Sequence, residues 1–227
     1  MAKFLTLNTH SWMEEEQENK LNQLAERILQ EKYDVICLQE VNQLVESEQV
    51  VQAPFYYAVD GAIPIHQDHY ALRLVEKLTE AGLDYYWSWA YNHIGFDIYN
   101  EGVAILSRKP LKARELLVSD VNDPSDYHTR KVLLAETELD GQLITVASCH
   151  LSWWDKGFQG EWAKFESELL QVETPLVLMG DFNNPVDYEG YQHIIQSPLA
   201  LQDSHKVADQ TIGTATVEGD IAGWAGN

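Results

Sequence analysis

The feature that most constrains this chain is a set of short runs that are apolar at every position. Val35-Ile36-Cys37-Leu38 and Leu176-Val177-Leu178-Met179 have no polar residue in them, the texture of strands covered on both faces. Around them the periodicity alternates. Residues 3–7 read as a strand, and residues 17–31 place Leu21, Leu24, Ala25, Ile28 and Leu29 at helical spacing. A second helical stretch covers 67–81, with Ala71, Leu74, Val75 and Leu78 on one side and Gly82 as its stop. From residue 84 onward the segments 84–91, 102–107, 111–119, 130–138 and 142–149 are strand-like, and Asp140-Gly141 is a hairpin turn between the last two. Residues 160–171 and 187–196 read as helices. No repeat, low-complexity tract or Gly/Ser linker divides the chain, so the expectation is one α+β domain spanning 1–227, two sheets packed together with helices outside.

Composition narrows the function. With 45% hydrophobic and 22% charged residues the chain can bury a core. No apolar run approaches the ~18–20 residues of a membrane span. The first residues, Met1 to Asn8, carry one Lys and too short an apolar stretch for a signal peptide, which predicts a cytoplasmic protein without a membrane partner. Fifteen Lys and Arg stand against 36 Asp and Glu, a net charge of −21. Such a chain repels polyanions, which argues against non-specific nucleic-acid binding. A bound divalent cation would reverse the sign locally. Cys37 and Cys149 lie inside apolar runs and read as buried free thiols.

The chemistry lies at the polar ends of the apolar runs. Phe4-Leu5-Thr6-Leu7 ends in Asn8, Val35 through Leu38 in Gln39-Glu40, Ile144 through Cys149 in His150, and Leu176 through Met179 in Gly180-Asp181-Phe182-Asn183. Asn, Glu, His and Asp serve hard-cation binding and proton transfer. Strand ends hold such side chains rigidly within reach of solvent. If the four ends share one rim they form one site. Asp181 and Asn183, two apart in an extended stretch, would face the same way, with Phe182 turned to the core.

These residues carry a resemblance. TLNTH with Asn8, LQEVN with Glu40, SCHLS with His150, GDFNN with Asp181 and Asn183, and GVAILSR at 102–108 resemble the endonuclease/exonuclease/phosphatase superfamily over residues 4 to 184. The texture is also similar to the maltose 6′-phosphate phosphatase branch from lactic-acid bacteria. The resemblance implies a four-layer α/β/β/α sandwich of two mainly antiparallel sheets and Mg²⁺-dependent (or Mn²⁺-dependent) phosphoester hydrolysis. It implies Glu40 as the metal carboxylate with Asn8 beside it, Asp181 and Asn183 on the attacking water or a phosphoryl oxygen, and His150 on the phosphate. One departure accompanies it. The family closes in Ser-Asp-His, which occurs nowhere in this sequence, and the glycine-rich segment 211–227 suggests a chain that stops before its last strands.

The remaining candidates shape the substrate. Arg130 could clamp a phosphate bidentately. Trp12, Trp153 and Trp154 either stack on a sugar ring or pack beneath loops. His66, His69, His93 and Asp97, in segments 62–69 and 92–101 read as loops, either line a pocket or are solvated. Tyr85, Trp87, Trp89 and Tyr91 alternate along a strand and read as core. The expectation is a phosphoesterase for a small phosphorylated metabolite, a sugar phosphate. A nuclease of the same fold, or a non-catalytic binding module with an incomplete site, is the alternative.

Overall fold

The computed structural model describes residues 2–214 and residue 216. Among them, two four-stranded sheets face each other. The first contains β1 (Phe4–Asn8), β2 (Val35–Leu44), β3 (Tyr86–Gly95) and β4 (Tyr99–Ser107), in the order β1-β2-β4-β3. The second contains β5 (Leu111–Leu117), β6 (Lys131–Leu139), β7 (Gln142–His150) and β8 (Leu176–Asp181), in chain order. Each sheet has one parallel pair, β1 with β2 and β7 with β8, and its other pairs are antiparallel.

Alternation along the strands sorts the apolar residues into three layers. Ile36, Leu38, Trp87, Trp89 and Leu106 meet Leu21, Ala25 and Ile28 of α1 (Gln17–Glu31) and Leu74, Val75 and Leu78 of α2 (Tyr70–Glu80). Val35, Cys37, Val103, Ile105, Leu133, Ala135, Ile144, Val146 and Met179 fill the space between the sheets. Val132, Leu134, Ala147 and Cys149 pack on Phe158, Trp162 and Phe165 of α3 (Phe158–Leu169). The result is the expected α/β/β/α sandwich, with Tyr85, Trp87 and Trp89 in the core and both cysteines buried as free thiols. Two short helices, α4 (Glu189–Ile195) and α5 (Ser204–Val207), come after β8. Segment 211–227, from which a shortened chain was expected, lies outside the described residues except for 211–214 and 216.

Two elements differ from the sequence reading. Polar Gln39 and Glu40 suggested that β2 ends at Leu38, yet the strand continues to Leu44 through a bulge between Leu38 and Val41. Glu40 sits in that bulge with φ 52°, a left-handed backbone. Segment 92–101, read as a loop, is the β3–β4 hairpin, with Tyr99 paired to Gly95 and Glu101 to His93. His93 and Glu101 are held as a cross-strand pair at 3.4 Å.

Candidate active site

The layer between the sheets changes character along its length. Val35 and Cys37, Ile144 and Val146, and Val177 and Met179 are apolar. Continuing each row by steps of two reaches Gln39, Ser148, His150 and Asp181. Gln39 Nε2 donates to Ser148 Oγ across the gap at 3.2 Å, and Ser148 Oγ donates to Leu38 O at 3.3 Å, closing the apolar layer with a polar rung. Above that rung lie the strand ends. β1 runs parallel to β2 and β7 to β8, with Asn8 in register with Gln39 and His150 with Asp181. The ends of β1, β7 and β8 therefore meet the bulge of β2 at one rim, where Asn8 reaches Asp181.

There the Asn8 carboxamide spans two carboxylates. Its Nδ2 donates to Glu40 Oε1 at 2.7 Å and to Asp181 Oδ2 at 3.0 Å, while its Oδ1 accepts from the His10 amide at 3.1 Å. Glu40 comes from one sheet and Asp181 from the other, so the site is built across the sandwich. Gly180, at φ 151°, lets β8 lie against β7, since a Cβ there would overlap Cys149 O and stand 2.8 Å from Cys149 N. Asp181 Oδ1 accepts from the Asn183 amide at 2.9 Å.

His150 Nε2 stands 4.0 Å from Glu40 Oε1. Burial, assisted by the nearby Arg130 guanidinium, holds the imidazole below its usual value, so at neutral pH it is uncharged. Beside it is a charge that the sequence reading passed over. Glu101 is only 6% exposed. Burial by itself would raise its carboxyl, but the His93 imidazole 3.4 Å away, with His150 and Arg130, draws it below the ordinary carboxylate range. His93 in turn uses Nδ1 on Thr129 O at 3.1 Å. The Nε–H of Arg130 is buried with no partner among the described residues. A glutamate at the entry of the apolar run Val103–Leu106, opposite a histidine on the next strand, was the available signal.

The other candidates fall into two groups. Asn183 is at the rim, but not as an extended neighbour of Asp181. The strand ends at Asp181, Asn183 turns at φ 50°, and its Nδ2 donates to Leu151 O at 2.8 Å. Trp153 is half-buried beyond His150. Trp154, by contrast, lies edge-on to His193 of α4 and against Phe158 of α3, and Trp12 is buried edge-on to Tyr70 of α2 with its indole donating to Asp68 O at 2.8 Å, so both pack against helices. His66 and His69 are buried rather than solvated. His66 Nδ1 is 2.8 Å from Leu44 O, and His69 caps α2 by accepting from Leu72 N while packed on Trp87 and Trp89. Asp97 is exposed at the hairpin tip.

The donor set suits a hard cation. Two carboxylates are groups that bind Mg²⁺, which takes one or two of them and keeps its remaining positions for water and phosphate; the Asn8 carboxamide turns its nitrogen to them and its oxygen to the His10 amide. The described residues contain no group of three or more His, Cys, Asp or Glu side chains that could hold a metal ion. An open hard-cation site needs none.

Comparison with known proteins identifies the family and the fold. A model of the Endonuclease/Exonuclease/phosphatase family matches residues 12–226. None of the curated proteins matches the chain. An endonuclease/exonuclease/phosphatase family protein from Leptotrichia buccalis C-1013-b is 30% identical, with a TM-score of 0.83 over 100% of this chain and 83% of that one. The human Nocturnin catalytic domain with bound sulfate is 19% identical, with a TM-score of 0.61 over 88% of this chain and 70% of that one. ANGEL2, a 2′,3′-cyclic phosphatase in complex with adenosine-2′,3′-vanadate, is 20% identical, with a TM-score of 0.51 over 76% of this chain and 46% of that one. These last two are likenesses of fold.

Proposed function

Because the chain belongs to the endonuclease/exonuclease/phosphatase family, whose members hydrolyse phosphoester bonds, we propose that it is a divalent-cation-dependent phosphatase for a small phosphorylated metabolite, a sugar phosphate of the kind used by the maltose 6′-phosphate phosphatase branch. The observation that carries this reading is the pair of carboxylates, Glu40 and Asp181, drawn from opposite sheets onto one Asn8 amide. Two facing anions at a solvent-accessible rim repel each other, and a cation relieves that repulsion.

Glu40 and Asn8 would hold Mg²⁺ (Mn²⁺ meets the same donors), and the ion would supply charge neutralisation at the phosphate. The protein's own groups do the rest. Asp181, oriented by the Asn183 amide and by Asn8, is placed to accept the proton of an attacking water. His150, neutral through burial, offers a ring N–H to a phosphoryl oxygen. Arg130 presents its guanidinium beside His150 and Glu101, where it adds a fixed positive charge to a phosphate site. Glu101, paired with His93 at 3.4 Å, adds a negative charge that interacts with the Arg130 guanidinium.

The preference for a small substrate rests on charge. At −21 the surface opposes a long phosphate backbone, whereas one phosphate needs only the local field of the rim. The test is phosphate release with Mg²⁺ from maltose 6′-phosphate and glucose 6-phosphate, run beside nicking of supercoiled plasmid and digestion of a single-stranded oligonucleotide. Phosphate release that EDTA abolishes is the expected outcome. Efficient cleavage of either nucleic acid without release from the sugar phosphates would replace the proposal with the nuclease reading.

A further inference from the structure

Glu161 of α3 is a buried carboxylate, 4% exposed, on the helix that follows the β7 connection. Its two oxygens are both used on one residue. Oε2 accepts from the Ser152 amide at 2.8 Å and Oε1 from the Ser152 hydroxyl at 2.7 Å. Ser152 stands two residues after His150, and its remaining polar group, the carbonyl, accepts from Asn184 Nδ2 at 3.4 Å. The preceding carbonyl, Leu151 O, accepts from Asn183 Nδ2 at 2.8 Å, and Leu151 N donates back to Asp181 O at 3.0 Å. The connection leaving β7 is therefore gripped on one side by α3 and on the other by the residues just beyond β8.

The grip fixes a direction. Asn183 leaves the strand with a left-handed backbone, a conformation that does not by itself set where its carboxamide points. Leu151 O sets it by taking one of the two side-chain N–H groups, which turns the Asn183 oxygen and its second N–H away from that carbonyl. Leu151 O can do this only if its peptide is immobile, and that peptide ends in the Ser152 N–H bound to Glu161. Gly190 of α4 closes the unit from outside, since a Cβ there would overlap the Asn184 side chain.

We propose that Glu161 is a positioning residue for the phosphoester site, acting through Ser152 and Leu151 on the Asn183 carboxamide. This inference rests on the phosphoesterase reading above for its kinetic consequence, but not for its structural one. Supporting partners of this kind commonly change activity about 10–100-fold when removed. Glu161→Ala should therefore lower kcat for the best Mg²⁺-dependent substrate by about that factor, leaving KM and Mg²⁺ affinity by calorimetry within about twofold. Glu161→Gln should recover most of the loss, because its oxygen can accept from Ser152 N while its amide donates to the Ser152 hydroxyl oxygen. In an Asn183→Ala background, Glu161→Ala should have almost no further effect. An unchanged kcat in Glu161→Ala, or the same fold loss with and without Asn183, would overturn the proposal. Ser152→Ala, which removes only the hydroxyl arm, provides the milder variant should Glu161→Ala fail to fold, with a loss of a few fold in kcat expected and none overturning the proposal. If the wild type hydrolyses no phosphoester, the functional reading fails on its own, and the grip is then read from the Asn183 side-chain NH₂ resonances. These should shift in Glu161→Ala or Ser152→Ala, and unmoved resonances would refute the inference.

Discussion

The two parallel strand pairs solve the same problem in different ways. β1–β2 and β7–β8 each deliver two candidate residues to the rim, Asn8 with Glu40 and His150 with Asp181. An antiparallel pair would have put its two C-terminal residues at opposite ends of the sandwich, so parallel pairing is what makes adjacent strand ends a site. At β1–β2 the backbone itself is bent. A bulge inserts Glu40 at φ 52°, leaving Gln39 free to reach Ser148 across the sheets. At β7–β8 the register is unbroken through His150 and Asp181, and the adaptation is a missing side chain at Gly180. One end stores its geometry in a kink and the other in close contact.

Breaking the comparison chemically should give the largest effect. If the ends divide the labour as proposed, Asp181→Asn lowers kcat roughly 10²–10⁴-fold while Mg²⁺ binding by calorimetry persists, whereas Glu40→Gln removes most of the Mg²⁺ affinity. Both variants should keep the thermal stability of the wild type, since neither residue is core. Identical kinetic and calorimetric profiles for the two would erase the distinction.

The two backbone devices should differ in stability. Gly180→Ala forces a Cβ against the Cys149 backbone at a positive φ and should cost about 3 kcal/mol in urea unfolding. Glu40→Gly relaxes a left-handed residue and adds freedom to the unfolded chain, so its net effect should stay under about 1 kcal/mol. Equal losses at both positions would mean that the bulge and the glycine are equally strained.

A smaller effect separates the site from the core under acid. His69 lies outside both pairs, and burial pushes its pKa down to about 3. A histidine that is neutral in the folded state and protonated in the unfolded one contributes stability that is complete above its unfolded value near 6.5 and is lost as pH falls through 3. His69→Asn keeps a side chain able to cap α2 and should flatten the fall of Tm between pH 6.5 and 4, even though the cavity it leaves lowers Tm at neutral pH. An unchanged slope would assign the acid sensitivity to the rim.

The rim was legible in the sequence wherever a polar residue interrupts a row of apolar ones. Asn8, Glu40, His150 and Asp181 stand out because their neighbours are uniformly apolar and the periodicity shows the break. Glu101 did not stand out, because Tyr99-Asn100-Glu101-Gly102 reads as a polar turn until His93, Arg130 and His150, from three other segments, are seen to surround its charge. Glu161 was hidden for the opposite reason. A carboxylate on a helix looks solvated, and only the docking of α3 against the β7 connection shows that it is not. His66 and His69 could be read from sequence only as pocket-lining or solvated, because nothing in the segment 62–69 shows that it packs His69 onto the Trp87 and Trp89 indoles. Periodicity reports one element at a time, whereas these side chains take their character from a partner distant in sequence.

Each sheet is also a contiguous half of the chain, residues 4–107 and 111–181, joined by Arg108-Lys109-Pro110 alone. Asn8 and Glu40 come from the first half, and His150 and Asp181, followed closely by Asn183, from the second. Neither half can be competent alone, even with all its secondary structure formed. On the proposed function, catalysis is therefore an assembly signal. During refolding, helical and strand signals can return as each half closes on its own, but turnover can appear only when the halves dock and Asn8 meets Asp181, so the lag between the two clocks the docking step itself.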